Sequence, residues 1–350
     1  MMRLPRLRYV APRTIREAAA ALADAGPEGA LLAGGTDLLP NMKRRQQVPR
    51  ILIGLRGVQG LRVRELGEAA RLGAGLTLSE MLRDAALCAA YPGLRRAVAS
   101  ISTPPLRNMG TLGGNLCLDT RCNYYNQSLE WRKAIDFCLK KDGTICWVAP
   151  ASPRCWAVSS SDMAPLMVAL GARVTLQSAQ GERELAAEAL YVDDGIAYLS
   201  RRPDEVLTDV VLPPHAGLRC TYLKLRRRGA FDFPVLSVAA ALRLDGDHGD
   251  APVREARLVL GAVGSHPVLA AEAGALLVGR PLSEEAIREA AEAAARLAKP
   301  LDNTDYALGW RKRMAGPLIA AALRELRGDG PPPHGELARA GVRGRPSGAC

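Results

Sequence analysis

Apolar and polar positions along the chain change their period several times, and the changes mark out its elements. From Thr14 to Ala25 small apolar residues recur at helical spacing behind a threonine able to cap, and Gly26-Pro27 closes the segment, which predicts a helix. Ala30–Ala33 is a short continuous apolar run, read as a buried strand, and it leads into Gly34-Gly35. Thr36-Asp37 can cap the turn at Leu38-Leu39, and Arg50–Leu55 reads as another strand. A second region begins near Gly57, with a strand around Arg71–Ala74 and a helix from Thr77 or Ser79 to about Ala90. Further on, Ser159-Ser-Ser-Asp162 is placed to cap an apolar helix, Met163–Leu170, and Arg173–Leu176 resumes a sheet.

After Pro213-Pro214 the pattern turns to strands at Thr221–Leu225, Val235–Leu244 and Arg257–Ala262, spaced for an antiparallel meander. A helix is expected over Ser283–Ala298, capped by Ser283, with Ile287, Ala290, Ala291, Ala294 and Leu297 as its apolar face. A last helix, expected to break or kink at Gly316-Pro317, reaches about Leu326. From Gly328 onward the composition is rich in Gly, Pro and Arg, and a disordered tail ending in a free Cys350 is expected. The divisions are therefore 1–56, 57–216, 217–327 and 328–350.

At 350 residues the chain can bury two or three cores, and 48% hydrophobic with 24% charged residues is ordinary for a globular protein. Aromatics make up only 4%, so the cores rest on Ala, Leu and Val. The net charge of +11 is scattered; its densest run, Arg226-Arg-Arg228, is too short to suggest a nucleic-acid surface. The N-terminal apolar run is short and ends in Asp24, unlike a signal-peptide core, and nothing is long enough to span a bilayer. A cytoplasmic location is expected, where cysteines are thiols or metal ligands.

Chemistry concentrates in two glycine pairs and a run of cysteines. Gly34-Gly35 and Gly113-Gly114 each follow apolar residues and precede a small polar one, Thr36 or Asn115; such loops let a backbone approach a phosphate. A dinucleotide fold of the G-x-G-x-x-G kind is not indicated, since Gly73-Ala-Gly75 is followed by Leu78 where the third glycine belongs. The four histidines, His215, His248, His266 and His334, are dispersed in turns and read as solvated. Cys88 and Cys220 read as buried fillers. Cys117, Cys122, Cys138, Cys146 and Cys155 compete for a metal site. Only Cys117 and Cys122 approach a zinc-knuckle spacing, and the C-x₂-C-x₂-C ferredoxin run is absent. Four widely spaced thiolates on a wrapping loop, with Tyr124, Tyr125, Trp131, Phe137, Trp147 and Trp156 around them, suit a [4Fe–4S] cubane better than zinc.

Three segments carry a family resemblance: Leu32-Ala-Gly-Gly-Thr-Asp-Leu38, Ile101-Ser-Thr-Pro-Pro-Leu-Arg-Asn-Met-Gly-Thr-Leu-Gly-Gly-Asn115, and Lys224-Leu-Arg-Arg-Arg-Gly-Ala-Phe-Asp-Phe233. Over about residues 3–326 the chain resembles the FAD-binding medium subunit of the xanthine oxidase or molybdenum hydroxylase family. Where that family passes directly from the second glycine loop to an Asp-led helix, here Asp162–Gly171, this chain inserts about forty residues at 117–158. An insert of this kind resembles the beta subunit of 4-hydroxybenzoyl-CoA reductase. The resemblance assigns Cys117 to the flavin loop and leaves Cys122, Cys138, Cys146 and Cys155 as ligands of an extra [4Fe–4S] cluster.

The resemblance implies an α+β fold: a two-part FAD-binding α/β domain of the PCMH type (1–56, and 57–216 with the insert), then a C-terminal α+β domain with an antiparallel three-stranded sheet and a helical bundle. It implies that Leu32, Ala33, Gly34, Gly35 and Thr36, with Thr111, Gly113, Gly114 and Asn115, wrap the FAD pyrophosphate. Ile101 and Thr103 would lie along the flavin or its ribityl chain, Asp162 would meet a ribityl or ribose hydroxyl, and Lys224 would sit near the isoalloxazine. The implied partners are a molybdopterin-binding large subunit and a [2Fe–2S] small subunit in a dimerised heterotrimer, with ferredoxin as donor and neither nucleic acid nor membrane. The expected role is electron transfer for reductive dehydroxylation to benzoyl-CoA, with no substrate chemistry on this chain. The alternatives are the flavin subunit of another molybdenum hydroxylase, of the xanthine, aldehyde or CO dehydrogenase type, and a non-catalytic, zinc-stapled nucleotide-binding module.

Overall fold

A computed structural model describes residues 2–246 and 251–331. His248, His334, Cys350 and most of the expected tail lie outside the described residues. The chain opens with a parallel sheet in the order β1-β3-β2, formed by β1 (Arg8–Val10), β2 (Gly29–Leu32) and β3 (Ile51–Gly54). The helix Ile15–Ala25 covers it. Thr14 accepts from the Glu17 N–H at 3.1 Å while Glu17 takes the Arg13 N–H at 2.7 Å, so a cap is satisfied at each side of the first turn. Ala18, Ala19, Leu22 and Ala25 form its buried stripe.

A five-stranded sheet follows, made of β4 (Arg64–Leu66), β5 (Ala70–Gly73), β6 (Arg173–Ser178), β7 (Gly181–Ala186) and β8 (Val206–Leu212) in the order β4-β5-β8-β6-β7. Its helices fill the long stretch between β5 and β6. The helix expected from Thr77 to Ala90 is two helices, Leu78–Arg83 and Ala85–Ala90. Asp84 ends the first in an extended conformation and its carboxylate caps the second, so a chain of good helix formers is interrupted by one competing side chain. A further helix, Pro92–Ser100, with proline at its first turn, was not anticipated. Met163–Ala169 is buried along its whole length and sits in the largest core with Leu72, Tyr91, Leu94 and Leu176.

The third region is an antiparallel sheet of β9 (Leu218–Leu225), β10 (Leu236–Leu244), β11 (Val253–Gly261) and a two-residue edge strand, β12 (Val268–Leu269). The expected meander is present, with β12 added. The helices Glu284–Ala295 and Leu308–Arg327 pack on it. Leu297, expected on the apolar face, is exposed, because the helix ends at Ala295 and the inward place passes to Ala298. The last helix runs unbroken through Pro317 for 20 residues; flanking Ala315, Leu318 and Ile319 are buried, and that packing holds a helix proline alone would weaken. The second and third regions are closely joined, with β9 lying against Pro92–Ser100 and β10 and β11 against Met163–Ala169. Among the described residues no helix is long and apolar enough to cross a membrane.

Candidate functional site

The two glycine pairs meet across one cleft of about 890 Å³, near the upper end for small-molecule sites. Gly34 is required by close approach: a methyl group there would overlap the carbonyl oxygen of Met109, in the loop that leads to the second pair. Gly35 has φ +73°, a conformation that glycine adopts without strain. The segment Thr111–Asn115 is a loop only at its start. Thr111 Oγ1 accepts the Gly114 N–H at 3.1 Å and begins a short helix, Leu112–Leu116, while Gly113 lies so near Ala74 that a Cβ would come within 2.7 Å of that side chain. Ala33, Gly34, Gly35, Thr36, Ile101, Thr111, Gly113, Gly114, Asn115 and Asp162 line the cleft. Leu32, Thr103 and Lys224 are not on its lining. Arg56, Arg62, Arg83 and Arg201 share the wall with Asp37, Glu80, Asp119, Asp162 and Asp232, so it is the bare glycine backbone and this volume that fit a large nucleotide cofactor such as FAD.

Asp162 does not cap the helix it precedes. Ser161 Oγ does so, accepting the Ala164 N–H at 3.0 Å, and Asn115 Oδ1 takes the Ser161 hydroxyl at 2.8 Å and the Met163 N–H at 3.0 Å. The Asp162 carboxylate is thereby free to pair with Lys224 Nζ at 2.9 Å and to accept the Tyr222 hydroxyl at 2.7 Å. Both partners come from β9, so the cluster ties the third region to the cleft wall. Burial draws the Lys224 ammonium below its usual pKa, and the Asp162 charge and hydrogen bond oppose that shift. Lys224 also donates to the Ser100 carbonyl at 3.1 Å.

Beside the cleft, Cys122, Cys138, Cys146 and Cys155 are all buried and line one small pocket with Tyr124, Tyr125, Leu139, Lys140, Trp147 and Val148. Cys117 lines the nucleotide cleft instead. The Ala157 N–H donates to the Cys155 sulfur at 3.4 Å, and the backbone amides of Tyr124 and Lys140 lie beside the sulfurs of Cys122 and Cys138. Burial outweighs these donors, pushing the Cys122 thiol up to about 12 and Cys155 up to about 11. Among the described residues no three His, Cys, Asp or Glu side chains stand close enough together to hold a single metal ion.

Two of the four histidines can be placed. His215 Nδ1 meets the Glu68 carbonyl at 2.8 Å, and His266 lies 3.1 Å from Asp193, so the second has a carboxylate partner that its spacing did not suggest. Cys88 and Cys220 are buried, as expected of fillers. Sequence reasoning passed over Asp119, Arg121 and Lys140, buried charges around the two cavities. Arg121 pairs with Asp37, and burial draws its guanidinium down to about 10. Asp119 and Arg121 stand close behind the second glycine pair, next to Leu116 and Leu118, and that was their signal; nothing local marked Lys140, which is followed by the charged pair Lys141-Asp142.

Comparison with known families identifies the class. Residues 5–215 match the FAD-binding domain of molybdopterin dehydrogenases, and 221–326 match the C-terminal domain of CO dehydrogenase flavoproteins. The chain belongs to the FAD-binding medium subunits of the molybdenum hydroxylase family. It is similar to the carbon monoxide dehydrogenase medium chain of Afipia carboxidovorans, 29% identical over 91% of this chain and 96% of that one. The FAD-binding subunit of Escherichia coli aldehyde oxidoreductase is 32% identical over 69% of this chain and 76% of its own length. Among solved structures, the Cu,Mo-CO dehydrogenase superposes with a TM-score of 0.75 at 27% identity, covering 93% of this chain and 99% of the other. Quinoline 2-oxidoreductase from Pseudomonas putida 86 does so with 0.72 at 25%, covering 94% and 99%.

Proposed function

We propose that the chain is the FAD and [4Fe–4S] subunit of a 4-hydroxybenzoyl-CoA reductase, working beside a molybdopterin-binding large subunit and a [2Fe–2S] small subunit and fed by reduced ferredoxin. The observation that carries this reading is the gathering of Cys122, Cys138, Cys146 and Cys155, spread over 34 positions of an insert, into one pocket with backbone amides beside three of their sulfurs. Amide donors stabilise thiolate, the form in which cysteine binds metal, and a cubane draws ligands from more widely separated thiols than one ion does. The pocket is about 10 Å³, and the four cysteines would hold a cluster there as thiolates, giving up their protons on binding.

Ala33–Thr36 and Thr111–Asn115 hold the pyrophosphate of FAD, Ile101 lies against the flavin or its ribityl chain, and Asp162 meets a hydroxyl. Leu32 ends β2 directly before the first segment, and Thr103 precedes the short helix Pro104–Arg107; neither lines the cleft. Lys224 acts through Asp162, fixing that carboxylate at the wall and adding positive charge to the site. Bound there, FAD takes electrons singly or in pairs and so joins iron–sulfur centres to another carrier. Substrate would be reduced on the partner subunit.

A second reading, the flavin subunit of an oxidative molybdenum hydroxylase, is favoured by the relatives, which are named for CO and aldehyde oxidation. Iron and flavin analysis of the purified chain separates the two. The reductase reading expects about four iron atoms and one FAD per chain, and Cys122→Ser, Cys138→Ser, Cys146→Ser or Cys155→Ser each losing the iron while keeping the flavin. Stoichiometric FAD without iron in the unaltered chain would favour the oxidative reading. A colourless protein holding zinc would overturn both.

A further inference from the structure

The nucleotide cleft and the cysteine pocket are joined by one buried ion pair. Asp119 lies on the lining of the cleft and Lys140 on the lining of the pocket, and Lys140 Nζ stands 2.8 Å from Asp119 Oδ1 with each side chain 6% exposed. The ammonium also donates to Thr120 Oγ1 at 2.8 Å and to the Gly195 carbonyl at 2.6 Å, which accounts for its three protons. The carboxylate is likewise complete: Oδ2 accepts the Tyr125 hydroxyl at 3.1 Å and the Gln47 side-chain amide at 3.1 Å. The rings of Tyr125 and Tyr198 face the ammonium at 5.0 and 5.4 Å. Gly195 also closes over the pocket, since a Cβ there would come within 2.6 Å of Cys155 Sγ.

We infer that Asp119 and Lys140 form a fixed dipole between the two redox sites, its positive end toward the four cysteines and its negative end toward the flavin cleft, and that it sets the equilibrium for one-electron transfer between them. The inference rests on the reading that the pocket holds an iron–sulfur cluster and the cleft a flavin. The transfer moves one electron from one centre to the other, with no bond made or broken. A positive charge on the pocket wall favours the extra electron on the cluster, and a negative charge on the cleft wall disfavours it on the flavin. Because every donor and acceptor of the pair is satisfied and both side chains are shielded from water, solvent screens the dipole little and its orientation is fixed. Lys140 and Asp119 are positioning residues: neither is a ligand, and each acts through the field it imposes.

The test is a redox titration of the purified full chain, following the cluster by electron paramagnetic resonance and the flavin by absorbance, with iron and FAD counted in each sample. Lys140→Met keeps the length of the side chain and removes the charge; the cluster should become harder to reduce by about tenfold in its equilibrium constant, or about 59 mV for one electron. Asp119→Asn keeps an oxygen acceptor for Lys140 and removes the negative end, so the cluster should become easier to reduce by a similar factor. Lys140→Arg should stay near the unaltered value. If Lys140→Met fails to retain iron, the opposite shift in Asp119→Asn still decides. Unchanged cluster potentials in loaded variants, or shifts of the same sign, overturn the dipole while leaving the function intact. An unaltered chain without iron overturns the functional reading and this inference with it.

Discussion

Removing the Lys224 ammonium should expose how strongly the third region is tied to the flavin cleft. Lys224 and Asp162 are 3% and 4% exposed and 2.9 Å apart, and they join β9 to the start of the helix Met163–Ala169. Lys224→Met retains most of the apolar stem but leaves the Asp162 carboxylate buried with the Tyr222 hydroxyl as its remaining partner. Stripping one member from a buried pair costs about 3–5 kcal/mol. The tyrosine bond and the adjoining water-accessible cleft put the expectation at the lower end, about 3 kcal/mol. Asp162→Asn keeps an acceptor for both Lys224 and Tyr222 but removes the countercharge, and should cost about 2 kcal/mol. With both substitutions no buried charge remains, so the combined loss should fall short of the sum by about 2 kcal/mol.

Urea unfolding of the full chain followed by circular dichroism, for the four members of the cycle, measures that coupling. Repeating it with FAD at about a hundred times its dissociation constant should stabilise the unaltered chain by about 2.7 kcal/mol. That increment should shrink in Asp162→Asn, whose side chain lines the cleft. A coupling below about 0.5 kcal/mol would refute the tie between the two regions. A full FAD increment in Asp162→Asn would remove Asp162 from the cofactor site.

Gly34→Val should purify with little or no FAD, measured by visible absorbance per chain, because a side chain there displaces the Met109 loop that forms the opposite wall; Gly67→Val, with open space around it, should keep the flavin. Stoichiometric flavin in Gly34→Val would sink the assignment of that approach to the cofactor site. The pairing of Glu284 with Arg324 and Arg327 should give an acid-dependent stability. Hydrogen bonds from Arg324 and then Arg327 hold the Glu284 carboxyl at about 2 against an ordinary 4.5. A lowered folded pKa contributes stability that is full above about 4.5 and lost as pH falls toward about 2. The difference in melting temperature between the unaltered chain and Glu284→Gln should be constant down to about pH 4.5 and narrow below it; a gap that widens on acidification would contradict the pairing.

The parts of this molecule that were legible in the sequence are those where one residue type has little substitute. Glycine pairs and clustered cysteines stand out for that reason, and the meander showed itself in strands of regular spacing. What stayed hidden was decided by competition or by closure in three dimensions. Asp84 divides a run of helix formers because its side chain caps the second half. Thr111 turns an expected loop into a helical turn by taking the Gly114 N–H. Leu297 fits the helical period, but the helix has already ended. Asp119 and Lys140 are 21 positions apart, and no local rule pairs them; only the folding of the insert back over the cleft does.

The insert also constrains where anything bound by its four cysteines can lie. It leaves the flavin domain directly after the helix Leu112–Leu116 and returns at Asp162, and Asn115, Cys117 and Asp162 all line the same cleft. Cys122 follows Cys117 by five residues, so even a fully extended chain places their Cα atoms no more than about 18 Å apart. Cys155 precedes Asp162 by seven residues, which bounds that separation at about 25 Å. Two anchors on one cavity wall, each on a short tether, hold whatever the four cysteines bind beside whatever the cleft binds. Proximity of the two sites therefore follows from the point of insertion, before any side chain is considered. On the proposed reading, Asp119 and Lys140 are the side chains between them whose charges would bias an electron toward one site or the other.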